Sequence, residues 1–201
     1  MAKGQEQAAP DAVLTRIGQV AMLHHAGDRE EARLRFLSLW AEIGEHGDPL
    51  HRCTLAHYLA DTQDDPGDEL AWDLRALSAA EELADAGPAD RDGGEDGELA
   101  ARALYPSLHL NLAADYDRLG HREAARLHLR RARTAAGALS FDRYGDRVRA
   151  AIDRLARRLA DAGPPGGAGP PGGAGPPGGA GPPADGPDRP DGWWGPPRQW
   201  P

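Results

Sequence analysis

The sequence predicts an all-helical domain, and three observations lead to that class. Between Asp11 and Ala160, apolar residues recur every three or four positions, which is the spacing of one face of an α-helix. Apolar residues make up 40% of the chain but aromatic residues only 5%, so alanine supplies much of the apolar fraction and suits close helix packing. Glycine and proline concentrate after Ala162, so the core is expected before that residue.

Composition and charge narrow the class of protein further. The chain has no apolar stretch long enough to span a bilayer and no signal-like segment before Ala12, so we expect a cytoplasmic protein. Cys53 is the single cysteine, which excludes an intramolecular disulfide. The single lysine, Lys3, among many arginines is typical of a high-GC bacterial genome. The net charge of −9 argues against a general nucleic-acid binder, although arginine dominates from Arg122 to Arg158.

Two helices are predicted at the start of the domain. Apolar residues repeat at helical spacing from Asp11 to Ala26, and Gly27 follows where a left-handed residue ends a helix. A second helix is predicted from Asp28 to Gly44, because Asp28 begins an Asp-Arg-Glu-Glu sequence that resembles a capping box. Residues 1–10, which precede this pair, are expected to be flexible.

A second pair is predicted from Leu50 to Thr62 and from Pro66 to Ala86. Asp65 is expected to cap the second of these helices, which has proline at its first position. Acidic residues among glycines then predict a solvated loop from Gly87 to Gly97. The acidic run from Asp90 to Glu98 does not place the glycine and the glutamate that an EF-hand loop requires, so calcium binding is not expected.

A third pair and a final helix complete the predicted domain. A short helical lead is expected from Glu98 to Leu104, and Pro106 suits the first turn of the helix that follows. The pair itself is predicted at roughly Tyr105 to Arg118 and His121 to Ala138. An amphipathic helix from Asp142 to Ala160 is then expected to cover the apolar end of the stack.

The third pair carries the most specific pattern in the chain. Its small and apolar residues are, in order, Leu112, Ala113, Tyr116, Leu119, Gly120, Ala125, Leu129 and Ala132. Ala113 and Ala125 mark positions where two helices approach closely, and Gly120 marks the turn between them. This pattern resembles the tetratricopeptide repeat, a helix pair with a period of about 34 residues. The resemblance implies a right-handed solenoid of helical hairpins in residues 11–160, with pairs at about 13–46, 49–86 and 105–139 and a capping helix at 142–160.

The resemblance also implies a function, because such repeats hold peptides or other proteins in a concave groove. Positions that face the groove in the family correspond here to His24, Cys53, His57, Asp61, Leu110, Ala114, Asp117 and Arg118. We expect these residues to contact a protein or peptide partner, with no catalytic residue, no metal and no cofactor. The carboxylate clamp of the family relies on groove lysines, and Lys3 is the only lysine here, so that clamp is not expected.

Two sets of residues invite a chemical interpretation. Cys53, His57 and Asp61 lie at i, i+4 and i+8, but Cys53 and Asp61 would be about 12 Å apart along a straight helix. Side chains on successive turns point in parallel, so we interpret the set as a polar face and not as a nucleophile with its base. His24 and His25 with His57 lack the ligand spacing that is diagnostic of a metal site.

An alternative function rests on arginines near the end of the domain. They are Arg122, Arg126, Arg130 and Arg133 on the sixth helix and Arg147, Arg154 and Arg158 on the seventh. Such a surface could contact phosphate groups and would make the chain a nucleic-acid-associated or regulatory accessory protein. Because aromatic residues are not interleaved with these arginines, a solvated face paired with nearby acids is the simpler interpretation.

Residues 161–201 are predicted to form a disordered Gly/Pro-rich tail. Glycine recurs at every third position from Gly163 to Pro183, which is the collagen period. The stretch is short and half of its triplets are Gly-Gly-Ala, so a linker with polyproline II character is favoured over a triple helix. The tail ends with Trp193, Trp194 and Trp200, which form either a recognition segment or a low-complexity end.

Overall fold

The computed structural model describes residues 11–85 and 94–161, with side chains described from residue 103 onward in the second range. All regular structure in these ranges is α-helical: α1 (Ala12–His25), α2 (Arg29–Ile43), α3 (Pro49–Asp61), α4 (Pro66–Asp85), α5 (Gly94–Arg118), α6 (Arg122–Ala136) and α7 (Arg143–Asp161). The predicted all-helical class is confirmed for this part of the chain. None of these helices has the length and apolarity needed to cross a membrane. The predictions for residues 1–10 and for the tail with Trp193, Trp194 and Trp200 lie outside the described residues.

Aspartate and glycine determine where several helices begin and end. The carboxylates of Asp11, Asp48 and Asp65 each accept hydrogen bonds from the backbone N–H groups two and three residues further on. These bonds satisfy donors that have no partner inside the first helical turn. Gly27 (φ 97°) ends α1 and Gly120 (φ 78°) joins α5 to α6, both in the left-handed region that other residues rarely adopt.

The predicted capping box at Asp28 is wrong. Asp28 is the N-cap residue of α2, but its side chain makes no capping hydrogen bond. Its N–H donates to the carbonyl of Leu23 and so completes the end of α1. Its backbone (φ −81°, ψ 56°) is therefore set by the tight α1–α2 connection, and it lacks the extended conformation in which an N-cap side chain reaches back to the helix.

The expectations around Pro106 are also wrong. The predicted loop up to Gly97 is shorter, because α5 begins at Gly94, and the predicted lead and following helix are one continuous helix. Pro106 lies inside α5, where proline removes one backbone hydrogen bond at a cost of about 3 kcal/mol. Leu104 and Leu108 on either side of it are buried in the core, and this packing offsets the lost bond.

The helices pack in an ordered series. Each helix contacts the next one along the chain, and the odd helices also contact one another in succession, α1 with α3, α3 with α5 and α5 with α7. Within the described ranges, the backbones of the even helices α2, α4 and α6 do not approach one another as closely, although the ring of Trp40 on α2 contacts the ring of Trp72 on α4 edge to face. The odd helices therefore form one continuous row, and the even helices lie on one side of it.

Three apolar clusters form the core. The N-terminal cluster joins α1, α2 and α3 around Ile17, Phe36 and Leu59, and the Phe36 ring stacks on Tyr58. The middle cluster joins α3, α4 and α5 and consists mainly of small residues: Cys53, Ala56, Ala76, Ala79, Ala80, Leu104 and Leu108. The C-terminal cluster joins α5, α6 and α7 and includes Leu110, Ala113, Ala125, Leu129, Val148 and Ile152. Ala113 and Ala125 are fully buried, so there is no room for larger side chains between α5 and α6.

Enlarging Ala125 tests this close approach. We expect Ala125→Leu to lower the free energy of unfolding by about 1–3 kcal/mol, because the added methylenes would force α5 and α6 apart. Ala150→Leu, at an exposed position of α7, is the matched control and should change it by no more than about 0.5 kcal/mol. Urea unfolding followed by circular dichroism measures both. Equal stability of the two variants would contradict the close packing at Ala125.

Candidate functional site

The eight residues predicted to contact a partner differ in exposure. Cys53 and His57 on α3 and Leu110 on α5 are buried. The partly exposed members of the set are His24, Asp61, Ala114, Asp117 and Arg118. A role of the eight in partner contact stays a prediction, and these five are the members that a partner can reach in the structure.

Burial gives two of the predicted residues a different environment from the expected groove. Leu110 belongs to the C-terminal cluster, where Val148 and Ile152 of α7 pack with it. Cys53 belongs to the middle cluster, and its burial, together with the negative charge of Asp73, raises the pKa of the thiol to about 12. Cys53 is therefore a protonated thiol at neutral pH, which is a poor nucleophile.

His57 lies in a buried polar cluster built by α3, α4 and α5. Its Nδ1 atom is 3.3 Å from Oδ1 of Asp73 and 3.3 Å from the amide nitrogen of Asn111. Carboxylate oxygens of Glu69, Asp73 and Asp115, all buried, lie within 4.8 Å of one another. With Arg118, these residues form what we call the polar cluster: His57, Glu69, Asp73, Asn111, Asp115 and Arg118.

Arg118 carries the compensating positive charge of the polar cluster. Its guanidinium donates a hydrogen bond of 2.7 Å to Oδ1 of Asp115 and forms an ion pair with the carboxylate of Glu69. Glu69 belongs to α4 whereas Asp115 and Arg118 belong to α5, so the Arg118–Glu69 ion pair joins the two helices and the Arg118–Asp115 pair lies within α5. A buried carboxylate is costly unless it is paired, so Arg118 makes the burial of these acids possible.

Sequence reasoning missed the three carboxylates, although a signal was present. Glu69 and Asp73 lie at i and i+4, and Ala76 and Ala80 continue the same buried stripe of α4. Acidic residues on an otherwise apolar helix face are unusual, because ionised carboxylates are seldom buried without partners. Asp115 interrupts the buried stripe of α5 in the same way.

The polar cluster also defines which described residues could hold a metal. Glu69, Asp73 and Asp115 each offer a carboxylate oxygen, the ligand type that Mg²⁺ and Ca²⁺ prefer. The guanidinium of Arg118 already bonds to two of the three. A cation bound among these acids would therefore compete with that guanidinium for their oxygens.

A pair of titratable histidines lies between α5 and α6. Nδ1 of His109 and Nδ1 of His128 are 3.3 Å apart, with the ring of Tyr105 stacked on His109 and the ring of Tyr116 near His128. Burial, the neighbouring His128 and Arg131 together lower the pKa of His109 to about 4. Burial, with the charge of Arg131, also lowers the pKa of His128. Both rings are therefore neutral at pH 7, and one can donate to the other.

The fold and the polar cluster define the class as an all-helical protein with a buried charged junction. Comparison with protein-family models, with curated proteins and with solved structures finds no match to this chain.

Removing the guanidinium tests whether the polar cluster is satisfied by Arg118. We expect Arg118→Met to lower the free energy of unfolding by about 3–5 kcal/mol, because the carboxylates stay buried without their cation. The matched control, Arg130→Met on the exposed face of α6, should change the free energy of unfolding by no more than about 0.5 kcal/mol. Adding Glu69→Gln and Asp115→Asn to Arg118→Met should restore part of the loss in urea unfolding. A loss no larger than that of the control would contradict the assignment.

The histidine pair predicts loss of stability in acid. The pKa of His109 is about 4 in the folded chain and about 6.5 when unfolded, so its contribution is fully present above about pH 6.5 and is lost as the pH falls toward 4. Each pKa unit corresponds to about 1.4 kcal/mol. Urea unfolding at a series of pH values measures this slope. His109→Gln should flatten it between about pH 6.5 and 5, and an unchanged slope would contradict the assignment.

Proposed function

We propose that this protein is a non-catalytic interaction scaffold, a tetratricopeptide-like solenoid that binds a segment of a partner protein in its concave groove. One observation supports the proposal: the backbones of the odd helices approach one another in succession, whereas those of the described even helices lie further apart, with α2 and α4 meeting through the side chains of Trp40 and Trp72. A stack whose helices are closer together along one row than along the other curves toward the closer row. The concave face is then lined by α1, α3, α5 and α7.

The accessible residues of this row support a peptide ligand of mixed charge. Asp61 on α3 and Ala114, Asp117 and Arg118 on α5 are partly exposed. The carboxylate of Asp117 accepts a 2.9 Å hydrogen bond from Nε of Arg158, and Arg118 is held by the polar cluster. Side chains that are already ordered lose little conformational entropy when a ligand binds, which favours recognition.

A buried residue is a poor probe of the groove. Replacing Leu110 would open the C-terminal cluster as well as alter any contact surface, so its effect on binding would be mixed with an effect on stability. Ala114 lies one helical turn further along α5 and packs against the edge of the same cluster, but it is partly exposed. Ala114 is therefore the better probe of partner contact, with circular dichroism to verify that each of its variants is folded.

A photo-crosslinking amino acid at Ala114 tests the proposed function. We expect a covalent adduct with a specific protein from a lysate of the native host, and no such adduct from the same group at Ser38, an exposed position on the even helix α2. Mass spectrometry identifies the adduct. A version that ends at Ala162 should give the same adduct if recognition lies in the groove and not in the tail.

The purified partner then allows a quantitative test. Ala114→Arg should weaken its binding about tenfold or more, equivalent to about 1.4 kcal/mol, because the longer side chain would fill the groove. Ser38→Arg adds the same charge on α2 and should leave the affinity unchanged. Adducts of equal yield from both positions, or equal affinities of the two arginine variants, would contradict binding along the odd row.

A further inference from the structure

One exposed face of α6 combines arginine with an apolar residue. Leu127, Arg130, Arg131 and Thr134 lie at i, i+3, i+4 and i+7 and form what we call the basic face. Leu127 is 38% exposed, and both arginines are exposed. Among the described residues neither arginine has an ion-pair partner, whereas Arg133 lies 3.7 Å from Asp153. The basic face therefore offers uncompensated positive charge beside a small apolar patch.

A face of α4 has the same design with the opposite charge. Leu74, Ser78, Glu81 and Asp85 lie at i, i+4, i+7 and i+11 and form what we call the acidic face. Leu74 is 41% exposed, and Glu81 and Asp85 are exposed. Neither acid is in an ion pair with another described residue, whereas the adjacent Glu82 pairs with Arg52. This face is complementary to the basic face in charge and matches it in having an exposed leucine.

The two faces belong to a larger separation of charge along the stack. Residues 11–85 contain 16 acidic residues and 6 arginines, whereas residues 122–161 contain 11 arginines and 5 acidic residues. In the described structure, the backbones of α1–α4 do not approach those of α6 or α7, and α5 lies between the two groups. The negative and positive regions are therefore at opposite ends of the helix series.

We propose that the basic face binds the acidic face of a second copy of this chain. The two faces are different surfaces, so the contact is heterologous: each copy in a pair keeps one face available, and further copies can add head to tail. Leu74 and Leu127 would form the apolar centre of the contact, with the charged residues around them. The contact uses even helices, so it goes beyond the proposed groove on the odd row and stands independently of it.

The observations favour a second copy over a nucleic acid as the occupant. The net charge of −9 and the acidic α1–α4 region repel a polyanion. The basic face also carries no aromatic side chain on which a base could stack. A second copy, in contrast, supplies two acids and a leucine at helical spacing.

Sedimentation velocity of the full chain tests the proposal over a range of protein concentrations. At about 0.01 M salt, where charges interact over about 30 Å, we expect species heavier than the 21.4 kDa monomer that increase with concentration. At about 1 M salt, where that length is about 3 Å, only the monomer should remain. A monomer at every concentration in low salt, or association that salt does not change, would overturn the proposal.

Charge reversal locates the contact. One double variant reverses the basic face (Arg130→Glu with Arg131→Glu) and a second reverses the acidic face (Glu81→Arg with Asp85→Arg). Each variant alone should form no heavier species in low salt. An equimolar mixture of the two should form them again. The control, Arg16→Glu with Arg35→Glu, changes the net charge as much as the first variant but at exposed positions of α1 and α2, and it should still associate. Circular dichroism verifies that every variant is folded. Association that survives reversal of either face would overturn the proposal.

A fluorescent single-stranded DNA provides the competing outcome. We expect no binding of this probe by the wild-type chain at about 0.15 M salt. A different outcome is that the wild-type chain does not self-associate but binds the DNA, and that Arg130→Glu with Arg131→Glu abolishes this binding. That outcome would assign the basic face to nucleic acid and overturn self-association.

Discussion

The ion pairs of Arg118 with Glu69 and Asp115 are the interaction on which the helix arrangement depends. In the described structure, α5 is the helix that joins α1–α4 to α6 and α7, and Arg118 links it to α4. The apolar part of this junction consists largely of alanines, such as Ala76 and Ala80, which bury little area each. Close packing of α4 and α5 therefore requires that buried carboxylates be compensated; Arg118 pairs with Glu69 and Asp115, and His57 lies 3.3 Å from Asp73.

The same junction connects the fold to the proposed groove. Arg118 and its neighbour Asp117 lie near the end of α5, where one is bonded to α4 and the other to Arg158 of α7. The accessible residues of α5 are thus held from both sides of the stack. A ligand in the groove would contact side chains whose conformations are set by tertiary contacts. A change in the polar cluster would therefore alter the positions of the groove side chains.

Local signals predicted most helices but not their environment. Apolar spacing and end signals such as Gly27 and Asp65 placed the helices, because these act within a few residues. Pro106 wrongly predicted a helix start, because core packing outweighs the cost of a proline inside a helix. Asp28 wrongly predicted a capping box, because the end of the preceding helix fixes the backbone conformation of Asp28. The burial of Leu110 depends on α7, which is distant in sequence. His57 and Arg118 were predicted as groove residues, whereas the buried acids of α4 and α5 were missed although they stand out as charges on apolar helix faces.

Native-state hydrogen exchange in low denaturant most directly tests whether the charged junction makes one cooperative unit of the stack. The amides of Leu59 on α3 and Leu129 on α6 report on the two sides of the junction. If Arg118 couples the two sides, both amides should exchange with the same opening free energy and the same dependence on denaturant. Distinct opening free energies, with one side exchanging while the other stays protected, would contradict this account.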